Sequence, residues 1–280
     1  MSRTAPIPDD GPLLRLAHAV HDGFVLAGRH LTHLGRTPEK IVTGTLTPAV
    51  IAVALGYLFD GVVTVGAVPD YTAFIMPGVL AQVALYGIGT TALGVVADLD
   101  NGITDRFRSL PISRSSVLVG HTLADLVVTA VNLVLVALVG FAIGWRIDAP
   151  AAHVLAALGL LLLFGYAMLW VGVLLGLALR TPDTVNSVSG LVLVVFSFLS
   201  TSFIPVEALP SGVAQVAAWN PVTALVTAVR DLLGGPGGVV AADPPLPVEH
   251  PLPVLFAAVA LVLVVAVPIG TRAHHRAAAR

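Results

Sequence analysis

Polar positions are nearly absent from long stretches of this chain and collect in the segments between them. Apolar runs cover residues 41–59, 72–97, 117–144, 153–179, 186–203 and 251–271. A helix rises roughly 1.5 Å per residue and a hydrocarbon core is about 30 Å thick, so each run reads as a bilayer-crossing helix, the longer ones tilted. One more apolar segment, 212–233, is interrupted by Gln215 and by Trp219-Asn220-Pro221. Ahead of the first run, Leu13, Leu16, Ala17, Val20, Phe24, Ala27, Leu31 and Leu34 recur at helical spacing, with Arg15, His18, Asp22, Arg29 and His33 on the other face. That pattern predicts an amphipathic helix along a membrane surface, with a soluble helix packed on a neighbour as the alternative.

Composition agrees with this reading. The chain is 56% hydrophobic and 11% charged with mean hydropathy +0.94, against about 25% charged residues in an ordinary globular protein. The absence of cysteine excludes disulfides, thiolate metal sites and cysteine nucleophiles. A net charge of −2 offers no footprint for nucleic acid. The first residues, MSRTAPIPDDGPLL, are polar and proline-rich and lack the apolar core of a signal peptide, so the first run is expected to act as its own insertion signal.

Charge also selects the topology. With six spans and the N-terminus inside, all of the 14 basic residues except Arg146 and Arg230 lie on the inner side, as the positive-inside rule demands. A seventh span would carry the basic tail across. Segment 212–233 is therefore expected to re-enter the membrane or lie at its outer surface, which broken backbone permits where protein or a water-filled cavity surrounds it. The expected fold is all-α and polytopic. An N-terminal arm (1–40) with an interfacial helix leads into a six-span domain (41–271) containing an inner loop (98–114), an external re-entrant hairpin (204–233) and an external loop (234–250). A basic tail (272–280) follows. Both termini are expected in the cytoplasm. Abundant Ala, Val, Leu and Gly with one Lys suggests a GC-rich bacterial genome and hence a bacterial plasma membrane.

Candidate chemistry inside the spans is sparse. Asp125 is the one acidic residue within an expected span and is expected to sit near a helix end in reach of Arg114, His121 or headgroup water. Gln82, Asn132 and Asn186 suit interhelical hydrogen bonding, and Gly140-xxx-Gly144 and Gly172-xxx-Gly176 suit close helix contact. There is no chain of carboxylates and histidines for a proton relay. His18, His21, His30, His33, His274 and His275 read as surface residues rather than metal ligands. HExxH, GxSxG and an intramembrane aspartate pair are missing, which argues against proteolysis or acyl transfer. No GxxxxGK[ST] loop is present, so any ATP-driven work must draw on a separate subunit.

Such a subunit needs something to push on, and the inner loop offers it. Asp98, Asp100, Asp105, Arg106 and Arg108 give a mixed-charge surface, while Leu99, Ile103, Phe107 and Leu110 fall at helical spacing. Gly102 permits a bend, and Pro111 ends the segment before the next span. Pattern alone leaves a docking helix and a solvated loop both open.

At these residues the chain resembles the membrane subunits of type-2 ABC exporters, particularly the daunorubicin-resistance-type drug-efflux permeases. The family shows an acidic residue, three residues and Gly, then an acidic position, basic residues and a Ser/Leu-Pro-Ile/Val step. Here these are Asp98 to Gly102, Asp105-Arg106, and Arg108 with Leu110-Pro111-Ile112. Phe203-Ile204-Pro205, Leu209-Pro210 and Trp219-Asn220-Pro221-Val222 resemble the family's external hairpin; Leu46-Thr47-Pro48 and Met76-Pro77-Gly78 are also similar. Asp98 departs from the Glu found in many relatives.

The resemblance implies that Asp98, Gly102, Asp105, Arg106, Phe107, Arg108, Leu110 and Pro111 couple the chain to an ATPase subunit. It further implies two copies of that subunit, which would bind ATP and magnesium, and a second permease as homodimer or heterodimer. This chain itself would hold no cofactor and no catalytic site. The expected cargo is a lipophilic compound, its path lined by Tyr57, Met76, Gln82, Tyr86, Phe196, Phe198 and Phe203. Export of lipid, glycolipid or polysaccharide is the nearest alternative. A proton-coupled exporter, an ion channel or a non-transporting membrane partner are alternatives of another class.

Overall fold

The structure is a computed structural model that describes residues 38–59, 71–100, 114–179, 181–205, 209–235 and 246–277. Among them the regular elements are all helical: α1 (Pro38–Phe59), α2 (Tyr71–Asp100), α3 (Arg114–Ala142), α4 (Ala151–Leu179), α5 (Pro182–Phe198), α6 (Ser211–Ala218), α7 (Pro221–Leu232), α8 (Leu246–Glu249) and α9 (Pro251–Ala277). Helices α1, α2, α3, α4 and α9 are long and apolar enough to cross a membrane. Where no water is available, a helix is the element that satisfies its backbone within one segment. The interfacial helix expected before residue 38 lies outside the described residues.

Two elements differ in detail from the sequence expectation. Helix α5 has 17 residues, ending at Phe198 because Leu199 leaves helical geometry at φ −87, ψ 42; at roughly 26 Å it falls just short of a hydrocarbon core. Phe203, expected inside that span, instead occupies the turn that follows. Segment 212–233 is broken as expected, and its two pieces, α6 and α7, meet at 70°.

Helix α2 is the axis of the bundle. Buried positions make up 72% of its apolar 18-residue stretch, against 22% for that of α1 and 17% for that of α9, so α1 and α9 form the periphery. Its closest neighbour is α4. A Cβ on Gly172 would stand 2.5 Å from the Ile88 carbonyl oxygen, and one on Gly176 would stand 2.6 Å from that of Ala92. Gly172-xxx-Gly176 is thus a true backbone contact. Gly140-xxx-Gly144 is not: Gly140 receives Met76, whereas Gly144, at φ +105, forms the turn that ends α3. Of the three polar residues expected between helices, Asn132 accepts a hydrogen bond from Thr45 Oγ1 at 3.1 Å and joins α3 to α1. Gln82 is buried in α2, and Asn186 faces outward from α5.

Contacts between helices give the bundle two distinct ends. At one end, Gly56 of α1 meets Thr72 of α2 and Ile143, and Gly78 of α2 meets Ser202 beyond α5. This is the hairpin end. At the other, Val95, Leu118, Trp170, Val173 and Ala266 form a single apolar cluster. Helix α2 ends and α3 begins here, which makes it the loop end. Helices α1 and α9 place Pro38 and Ala277 at this same end.

Candidate functional site

Two polar clusters stand out in this apolar bundle, one at each end. At the loop end, Asp125 of α3 is 5% exposed, and its Oδ2 accepts a hydrogen bond from Thr91 Oγ1 of α2 at 2.6 Å. One turn earlier, His121 Nε2 lies 3.3 Å from that same oxygen. On its other side, His121 Nδ1 lies 3.7 Å from Asp98 Oδ2, near the end of α2. One imidazole therefore bridges a part-exposed carboxylate where the inner loop begins and a buried carboxylate in the core. The expected proximity of Asp125 to His121 holds. The expected headgroup-water environment does not, because α2 supplies Thr91 and covers the group.

At the hairpin end the central group is Arg230, in the last turn of α7 and 2% exposed. Its Nε donates to the Phe74 carbonyl of α2 at 3.0 Å, and one terminal nitrogen donates to the Thr201 and Ser202 carbonyls at 2.7 and 3.0 Å. The guanidinium carbon sits 3.8 Å from the centre of the Phe74 ring. An arginine stays protonated at physiological pH, so this is a buried cation held by carbonyl dipoles and a ring face. Thr201 and Ser202 follow the C-terminus of α5, where the helix dipole favours positive charge. Removing the guanidinium would leave three carbonyls without that donor in a dry site, at a cost of about 3–5 kcal/mol by analogy with broken buried charge pairs.

Trp219-Asn220-Pro221 acquires a physical reason here. Asn220 Nδ2 donates to the Phe196 and Leu199 carbonyls at 2.9 and 2.6 Å, closing the C-terminus of α5. Its Oδ1 accepts from Val222 N at 2.9 Å, capping the N-terminus of α7, with Pro221 at the first helical position. One side chain caps two helices. Thr223 adds to the joint by donating to the Ala217 carbonyl at 2.5 Å and accepting from Thr201 N at 3.1 Å. Tyr71 at the start of α2 donates to the Phe203 carbonyl at 3.3 Å. The Met76-Pro77-Gly78 step is explained as well, since a Cβ on Gly78 would stand 2.5 Å from the Ser202 carbonyl oxygen.

Beside this joint, α5 and α6 border an open apolar cleft of about 540 Å³ lined by Val195, Phe196, Leu199, Gln215, Val216, Trp219 and Asn220. Of the candidate path residues, Phe196 borders this cleft and Phe198 lies outside it, 58% exposed. Tyr57 faces outward from α1 at 69% exposure; Met76, Gln82 and Phe203 are buried, and Tyr86 is partly so. The seven residues do not converge on one cavity within a single chain. Gly78 against Ser202 and Gly89 against Ser189 fix the antiparallel register of α2 and α5, which puts Gln82 and Ser197 at one level. Gln82 Oε1 and Ser197 Oγ are both buried with no hydrogen-bond partner among the described residues.

Of the coupling residues, Asp98 is described, at the end of α2; Gly102, Asp105, Arg106, Phe107, Arg108, Leu110 and Pro111 lie outside the described residues. The feature that sequence reasoning missed is Arg230, which was noted only as an external charge. Its signal was a lone cation on a helix whose other face positions are Val, Ala, Leu and Thr. No group of metal-ligating residues is present among the described residues.

Known proteins place this architecture. The family profile described as ABC-2 type transporter matches residues 22–233. The chain is 29% identical over 215 residues to the daunorubicin resistance ABC transporter permease protein DrrB1 of Streptomyces coeruleorubidus, covering 74% of this chain and 76% of that protein. It is 25% identical over 211 residues to the probable doxorubicin resistance ABC transporter permease protein DrrC of Mycobacterium tuberculosis, covering 74% and 75%. Against the putative transport permease ycf38 of Cyanophora paradoxa the identity is 24% over 216 residues, covering 76% and 74%. With a multi-helix apolar bundle and a profile match across most of its length, the chain is a membrane protein that belongs to the ABC-2 type transporter family.

Proposed function

We propose that this chain is the transmembrane subunit of an exporter that moves a lipophilic compound out of a bacterial cell, powered by a separate ATPase subunit. The observation that carries the coupling route is the bridge from Asp98 through His121 to Asp125 and Thr91. A push on the segment beginning at Asp98 is passed to α3 and back to α2, the axis of the bundle. In this reading the loop end faces the cytoplasm, both termini lie there, and the hairpin faces outward. Two ATPase subunits, holding ATP and magnesium, dock on the inner loops of two permeases.

Two exposed apolar faces suit a second permease. Val42, Leu46, Val50, Val53 and Tyr57 form one stripe along α1, and Leu191, Val194 and Phe198 another on α5. The cargo path runs along the α2–α5 seam towards the cleft beside α6. Apolar walls and the uncommitted oxygens of Gln82 and Ser197 suit a lipophilic molecule with a few polar groups. The relatives named for daunorubicin and doxorubicin resistance point to the same class of cargo.

The test is ATP-dependent daunorubicin uptake into inverted vesicles containing the chain and its ATPase, with the proton gradient dissipated. Asp98→Ala combined with Arg106→Ala should weaken both uptake and copurification of the ATPase. Unchanged uptake and copurification would refute the coupling route, and uptake that follows the proton gradient instead of ATP would refute the energy source.

A further inference from the structure

We propose that Arg230 is a positioning residue that fixes the hairpin end of α2 and α5 as the pivot about which the loop end opens and closes during transport. The proposal rests on the export reading for its purpose, and on geometry for its substance. One guanidinium joins three segments far apart in sequence: α7, which carries it, the turn after α5 through the Thr201 and Ser202 carbonyls, and α2 through the Phe74 carbonyl and ring. Any separation of α2 from α5 at this end must strip the buried cation from one set of partners. The planar fork of arginine serves this task, because it presents donors in fixed directions along with a flat face for the ring. A lysine ammonium is a point charge and cannot hold the same set.

The surroundings reinforce the same pair of helices. Tyr71 reaches from α2 to the Phe203 carbonyl, and Gly78 lets the Ser202 backbone lie directly on α2. Arg230 is itself held, since Val222 through Val229 of α7 are all buried. Farther along the seam, a Cβ added to Gly89 would come no nearer than 3.4 Å to the Ser189 side chain, an ordinary contact, whereas one on Gly78 would collide with the Ser202 backbone. Polar resistance to separation is therefore concentrated at the Arg230 end, while the loop end of the seam is closed by the apolar contact of Ala92 and Val96 with Val185, which carries no directional bond.

The test uses paired spin labels attached to this chain before the full complex with its ATPase is assembled in nanodiscs; a chain without cysteine takes such labels with no background of its own. Ala73→Cys on α2 with Ile204→Cys after α5 reports the hairpin end, and Ala97→Cys with Ser187→Cys the loop end. Without nucleotide, Arg230→Gln should at least double the width of the hairpin-end distance distribution and leave the loop-end width unchanged. Arg230→Lys should fall between the two. Phe74→Leu keeps the carbonyl and removes the ring, so it should broaden the hairpin end less; with Arg230→Lys it carries the test if Arg230→Gln does not fold. Equal hairpin-end widths in the variants and the unsubstituted protein would overturn the proposal, as would equal broadening at both ends, the mark of general destabilisation. Failure of the export reading appears elsewhere, as absent ATP-dependent transport by the unsubstituted complex while the hairpin-end difference persists.

Discussion

At the hairpin end, a group that does not titrate in the physiological range is buried among carbonyls at 2.7 and 3.0 Å. At the loop end, an imidazole and two carboxylates meet at 3.3 and 3.7 Å, with one carboxylate part-open to solvent. Both clusters join helices distant in sequence, yet they do so with different stiffness. A buried cation with several short bonds tolerates little displacement, because a lost partner is not replaced by water. The Asp98–His121 contact, part-open to solvent, can lengthen, exchange or take up water at small cost, and Asp125 behind it keeps Thr91 as a partner. The contrast assigns movement to the loop end and anchorage to the hairpin end.

The contrast can be broken in graded steps, read as melting of the purified protein. Arg230→Met should have the largest effect, a loss of about 3–5 kcal/mol, since it strands the Phe74, Thr201 and Ser202 carbonyls. Gly78→Val attacks the same end sterically and should cost about 1–3 kcal/mol, because the added side chain meets the Ser202 backbone. Asn220→Ala removes both caps at once and should cost about 1–2 kcal/mol. His121→Ala should be the mildest at about 1 kcal/mol, the low end for a buried carboxylate that loses one partner, because Asp125 keeps its bond from Thr91, while still reducing transport per ATP hydrolysed. If His121→Ala melted the protein as severely as Arg230→Met, the two ends would not differ in stiffness.

Much of the fold was legible because membrane helices announce themselves by length and apolarity. The broken hairpin was legible from Trp219-Asn220-Pro221, since Pro cannot continue a preceding helix. The double cap made by Asn220 was not, because one of the helices it closes ends 21 residues earlier at Leu199. Arg230 was hidden for the same reason. Its partner Phe74 is 156 residues away, and a positive-inside count records which side an arginine is on but not what surrounds it. Asp125 looked like a helix-end residue because its position along α3 is visible in sequence, whereas its cover by Thr91 depends on how α2 packs. Gly172-xxx-Gly176 and Gly140-xxx-Gly144 look alike as strings. They differ because the first faces the α2 backbone, whereas the second runs into the turn that ends α3. The docking proposed for residues 98–114 rests on sequence pattern and on what the family implies.

The most direct test compares the two label pairs in the unsubstituted complex before and after ATP and magnesium are added. The account predicts that the Ala97–Ser187 distance changes by about 5 Å, the scale of a one-turn helix displacement, while the Ala73–Ile204 distance stays within about 2 Å. A larger change at Ala73–Ile204 than at Ala97–Ser187 would contradict it.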